Sequence, residues 1–196
     1  MDSEPTQEES YDFRYSGQDL CRPKRRTGLK HTILGQGAFM LSASHYEFET
    51  HWSIPAPQER VWAELVNPED WPVWWRGAER VELLQAGHDA LGTGAIRRYC
   101  WRGRLPYQLR FDMQTVRVHP TSFIEGHATG ELEGQGVWRL SHDDGITHVR
   151  YDWRVVANKW WMRRLNWIAR PLFQWNHDVV MRWGRQGLIQ RLGISK

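Results

Sequence analysis

Between residues 79 and 157 the chain breaks into six successive strand-like runs, and the final stretch, from about Trp160 to Leu192, has a helical period. The runs cover residues 79–85, 93–103, 105–118, 121–130, 135–141 and 146–157. Gly92-Thr93-Gly94, Arg104-Leu105-Pro106, His119-Pro120 and Asp143-Asp144-Gly145 supply turn signals between them. Successive strands joined by short turns pair antiparallel. In the last run Val149, Tyr151, Trp153 and Val155 alternate with Arg150, Asp152 and Arg154, so one face is apolar and the other ionic. Tyr107, Leu109, Phe111 and Met113 form a second apolar row. The apolar face needs a cover. The terminal helix, about 33 residues and roughly 50 Å long if unbroken, is the one element long enough to supply it. A single helix cannot fill the hollow of a sheet of about seven strands, so either large side chains fill that hollow or a cavity remains.

Ahead of the meander, "SASHYEFETHWSI" alternates through Tyr46, Phe48 and Trp52 as a strand does. "PAPQERVWAELVN" then puts Pro57 at a helix start and Val61, Trp62, Leu65 and Val66 on one stripe. Asn67-Pro68 ends it. The next segment, "NPEDWPVWWRG", is punctuated as a loop yet holds Trp71, Trp74 and Trp75 within five residues. On the terminal helix Trp161, Leu165, Ile168, Leu172, Asn176, Val179, Trp183 and Gly187 step by three or four, and Pro171 is expected to kink the helix near residues 167–171. Strand, short helix, meander and long helix together make an α+β arrangement.

All 13 tryptophans lie beyond residue 50. Residues 1–20 hold six acids and one base, residues 21–30 hold five bases and no acid, and neither stretch has a sustained period. Residues 1–41 are therefore expected to form a flexible extension, and 42–196 the folded domain. Residues 150–196 hold ten bases and two acids. Those bases either solvate the outer face of the helix or meet phosphates or anionic lipid. No apolar run is long enough to span a bilayer, and no secretory signal opens the chain, so a cytoplasmic protein is expected. Cys21 and Cys100 form no disulfide or zinc pattern, and both are expected as thiols.

"HWSIPAPQERVWAELVNPEDWPVWW" resembles the opening signature of the START-like SRPBCC superfamily, in its polyketide cyclase/dehydrase and lipid-transport branch. Ile54, Ala56, Glu59, Val61, Trp62, Leu65, Asn67 and the tryptophans carry it. "GELEGQGVWRL" resembles a second family segment through Gly130, Glu131, Gly134, Gly136 and Trp138. The resemblance spans about residues 44–192. It implies a helix-grip fold: a curved antiparallel sheet of about seven strands wrapped around a long C-terminal helix, with an internal hydrophobic cavity. It also implies that a hydrophobic small molecule or lipid binds there, without metal or cofactor. No reaction comes with it.

On that expectation the wall residues are Phe111, Met113, Trp138, Tyr151, Trp153, Ile168 and Leu172, or else these simply pack as core. Of Trp71, Trp74 and Trp75, one or two are expected to plug the end of the core where the terminal helix meets the sheet, and the remaining ring, Trp74 or Trp75 among them, to line or gate the cavity mouth, unless all three are a purely structural plug. Arg98, Tyr99, Tyr107, Glu125, His127 and Asn176 are the polar candidates. Glu125 and His127 share a strand face. Facing inward, they could relay protons in an enolisation or aldol cyclisation; facing outward, they form a solvated pair. Asn176 either bonds sheet or loop, or meets the ligand. The histidines show no H-x3-H or HExxH spacing, so no metal site is expected. Three functions follow in order: carrier or sensor of a hydrophobic lipid, aromatic or polyketide-like ligand; cyclase or dehydratase acting through Glu125, His127 or Tyr107; and anionic-lipid or nucleic-acid binding through the basic segments. No specific nucleic-acid partner is expected.

Overall fold

The computed structural model describes residues 44–158 and 166–194. The extension expected at 1–41, its basic block, and Trp161 and Leu165 of the terminal helix lie outside these residues. β1 spans Ser44–Ile54 and α1 Gln58–Leu65; a 3₁₀ turn, Pro68–Asp70, leads into the single turn α2, Trp71–Trp74. The meander follows as β2 Ala78–Gln85, β3 Ile96–Arg102, β4 Gln108–His119, β5 Phe123–Gly130, β6 Leu132–Asp143 and β7 Ile146–Ala157. The helix α3, Asn166–Arg191, continues through Pro171 and ends the fold.

The seven strands form one sheet in the order β1-β7-β6-β5-β4-β3-β2, every pair antiparallel. The first strand therefore lies against the last. β7 shows why the sheet has two unlike faces. Val149, Trp153 and Val155 are buried, whereas Arg150 and Arg154 are exposed. On the ionic face Arg150 bridges Glu49 and Asp152, each at 2.9 Å. Gly136 is bare for a reason of space, because a Cβ there would come within 2.6 Å of the Tyr151 hydroxyl and 2.9 Å of the Trp153 ring.

The tryptophan segment departs from the loop its punctuation suggests. Pro68 and Pro72 each open a helical turn, where a fixed φ costs nothing and a missing N–H would be unpaired anyway. Those turns carry Trp71 and Trp75 inward. Trp75 is 1% exposed and lies 5.0–5.3 Å, centroid to centroid, from Trp52, Trp71 and Trp101. The indole N–H of Trp71 donates to Glu64 O at 3.2 Å and that of Trp75 to Val180 O at 2.9 Å. Gly184 and Gly187 of α3 face this segment, and their missing side chains let Trp74 and Trp75 approach the helix.

The buried stripe of α3 is wider than its spacing suggested and is turned toward Phe173, His177, Met181, Gly184 and Leu188. Asn176, Val179 and Gly187 are also buried, but Leu172 is 46% exposed. A helix gripped by a curved sheet is covered over a broad arc, and residue 172 falls outside it. Cys100 is buried in the core. Among the described residues no helix is long and apolar enough to cross a membrane.

Candidate functional site

The concave face of the sheet and α3 enclose a cavity of about 200 Å³. Strand parity decides which side chains reach it. On β4 Leu109, Phe111 and Met113 point in; on β6 and β7 Trp138, Tyr151 and Trp153 do. These rings pack into a continuous wall: Trp138 stacked on Tyr151 at 4.0 Å, Phe111 tilted against Trp153 at 5.7 Å, and Tyr99 stacked on Phe111 at 5.7 Å. Burial drives the phenol pKa values of Tyr99 and Tyr151 upward. Trp75 closes one part of the wall together with Trp71, while Trp74 stacks behind Trp75 and does not reach the cavity.

Polar groups interrupt the wall at few points. Asn176 lines it, yet its Oδ1 accepts from the backbone N–H of Arg104 at 2.8 Å and of Leu105 at 3.2 Å. That amide fastens the β3–β4 turn to α3. Tyr107 stands beside it, its pKa pushed up to about 12 by burial. His177 lines the cavity one residue on, its ring stacked 4.3 Å from Phe48. Among the described residues neither imidazole nitrogen has a hydrogen-bond partner; Nδ1 lies 3.6 Å from the Asp178 carboxylate. On β3 it is Arg97, with Tyr99 and Trp101, that faces inward.

No protein-family model matches this sequence, and no curated protein matches it. Among solved structures the chain is similar to TTHA0849 from Thermus thermophilus, with 15% identity, TM-score 0.59, and coverage of 74% of this chain and 99% of that one. A START superfamily protein from Mycobacterium smegmatis matches with 11% identity and TM-score 0.59, over 74% of this chain and 95% of its own. The Zhui aromatase/cyclase from Streptomyces sp. R1128 matches with 14% identity and TM-score 0.57, over 76% and 96%. The fold is START-like. A helix-grip arrangement follows, as the resemblance implied, with the sheet curled about its last helix.

Within this START-like frame several sequence candidates lie away from the cavity. Ile124 and Gly126 point inward, so Glu125 and His127 between and after them point outward. There Glu125 accepts from Arg117 and, at 2.5 Å, from Gln135; His127 Nε2 is 3.7 Å away. The Arg117 guanidinium holds the Glu125 carboxyl below the usual carboxylate range. Arg98 also faces outward, paired with Asp112 through two hydrogen bonds of 2.8 and 2.9 Å. Leu172 is on the surface, and the Ile168 side chain lies outside the described residues. Of the basic residues on the START-like terminal helix, Arg185 donates to Ser53 O of β1 and Arg191 pairs with Glu64 of α1, so both are occupied in holding the helix to the rest of the domain.

Arg97, Phe173 and His177 are among the cavity residues missed. Each had a signal. Arg97 shares parity with Tyr99 and Trp101, and Phe173, His177, Val180 and Gly184 form a helical stripe one step from the one chosen.

Proposed function

We propose that the protein takes a small, apolar, ring-bearing molecule into this cavity and serves as its carrier or sensor. The observation that carries the reading is an aromatic-walled hollow that the core leaves unfilled. An apolar cavity of about 150 Å³ holds one benzene ring. A hollow of about 200 Å³ therefore suits one ring or two fused rings. A two-chain lipid or a four-ring polyketide would need the walls to move. The aromatase/cyclase name of one structure with this fold agrees with a ring compound.

Tryptophan-fluorescence titration with 2-naphthol tests this, with micromolar affinity expected and Trp138→Ala or Trp153→Ala altering it. Gly126→Leu should abolish uptake, because a side chain at Gly126 projects onto Met113, with the Cβ 2.8 Å from its sulfur. Absence of any aromatic or lipid uptake, by fluorescence and by native mass spectrometry, defeats the reading.

A second reading, acid/base chemistry on a bound polyketide-like molecule, draws on His177 rather than on Glu125 and His127. A phenol with its pKa near 12, as on Tyr107, can donate a proton at neutral pH but cannot serve as base. His177→Ala that removes turnover while keeping affinity supports it. Turnover unchanged in that variant sinks it.

A further inference from the structure

Among the described residues, Arg97 is the one Arg, Lys, Asp or Glu that lines the cavity. It stands on β3 between Leu83 of β2 and Met113 of β4, on the concave face. Its side chain is 17% exposed, and its Nε donates to the Glu69 carboxylate at 2.9 Å. The two terminal amino groups of the guanidinium have no hydrogen-bond partner among the described residues. Glu69, in the turn after α1, is 40% exposed, and Leu91 in the β2–β3 connection is the one exposed residue of the cavity lining among the described residues. This is the open end of the cavity. A forked cation thus waits at the mouth of an apolar hollow, with four of its five N–H donors unpaired among the described residues.

A guanidinium at an apolar boundary is matched by a carboxylate, which takes two parallel N–H donors and returns the charge lost from water. We propose that the cavity's ligand is an apolar acid whose carboxylate docks on the free side of Arg97 while its hydrocarbon body enters the aromatic hollow. Glu69 neutralises the guanidinium when the site is empty and competes with the ligand's charge when it is not. The inference rests on the cavity-binding reading above and adds the chemical class of its ligand.

The carboxylate could be carried by rings or by a chain, so two matched pairs serve as probes: 2-naphthoate against 2-naphthamide, and decanoate against decanamide. Within each pair size is nearly constant and only charge changes. Titration of the intact protein at pH 7 should give at least one acid an affinity about ten- to a hundredfold above its amide, the range for hydrogen bonds to a charged group. Which pair shows it reports whether rings or a chain fill the hollow. Arg97→Gln should erase the preference and leave the amide's affinity within about twofold, which also shows that the variant folds. Glu69→Gln, at a half-exposed position, should strengthen the acid alone. Should Arg97→Gln not fold, rising salt must weaken the acid and spare the amide in the native chain. Equal binding of acid and amide, or a preference that survives Arg97→Gln, overturns the acid inference and leaves cavity binding intact. If neither body binds in either form, cavity binding itself fails.

Discussion

Gly184→Ala tests how the tryptophan segment is locked against the terminal helix. In an exposed helix interior the change stabilises by about 1 kcal/mol. Here a Cβ would stand 2.6 Å from Cζ2 and Nε1 of Trp75, and closer still to Cε2, so the indole must retreat by about 1 Å to regain van der Waals contact. The rings of Trp52, Trp71 and Trp101 packed against it resist that retreat. Overpacking costs about 1–3 kcal/mol, and this geometry belongs at the upper end. Movement would also break the 2.9 Å bond from Trp75 Nε1 to Val180 O, worth about 1 kcal/mol. The expected net loss is about 3 kcal/mol, or about 6–12 °C in Tm for a chain of this size. Urea denaturation followed by far-UV circular dichroism measures it, since that signal does not depend on the indole. Gly145→Ala is the control: its Cβ meets nothing within 4 Å, so only the strain of φ +75° remains, about 1 kcal/mol. The variant Gly184→Ala/Trp75→Leu should recover part of the loss, because the shorter side chain clears the new methyl. A Gly184→Ala protein as stable as the native one would mean that Trp75 is not seated on α3.

Asn176→Ala removes the acceptor for two backbone N–H groups of the β3–β4 turn and should cost about 2 kcal/mol in urea denaturation; Asn176→Asp, which keeps the acceptor oxygen, should lose less. The raised pKa of Tyr107 means that the folded state holds its proton more tightly than the unfolded chain. Its contribution is therefore complete below pH 10 and is lost as pH rises toward 12, so Tyr107→Phe should flatten the fall of Tm with pH in that window. Glu125 has the opposite sign. Its pKa is lowered by Arg117, so its contribution is present above the ordinary carboxylate pKa and disappears as pH falls through the lowered value; Glu125→Gln should make Tm less sensitive to pH below about 4.

The order of elements could be read because it depends on signals that are local. Alternation placed the strands at 146–157 and 121–130 within two residues of their observed limits, and turn residues separated them. The tryptophan segment shows where local signals mislead. Asn-Pro and Trp-Pro look like breaks, yet each proline begins a turn of helix, and what determines the conformation is a distant partner, the glycine face of α3. Nothing within residues 67–77 says that Gly184 and Gly187 will be bare opposite them.

The candidate site was harder to read than the fold because a ligand pocket is a question of parity. A strand shifted by one residue exchanges its two faces completely. Arg97 and Arg98 are neighbours with identical chemistry. Arg98 spends its fork on Asp112 across the outer face, whereas Arg97 opens onto the cavity. The deciding clue was Tyr99 and Trp101, whose bulk commits the odd positions of β3 to the interior. The same rule applied to β5 sends Glu125 outward, because Ile124, Gly126 and Ala128 claim the concave face. Glu125 nevertheless ends 7% exposed, covered by its own partners, so low exposure alone would have assigned it to the cavity. Burial and facing are separate properties on a curved sheet. Only facing decides which charge a ligand can meet, and that makes Arg97 rather than Glu125 the group whose replacement should change what the hollow accepts.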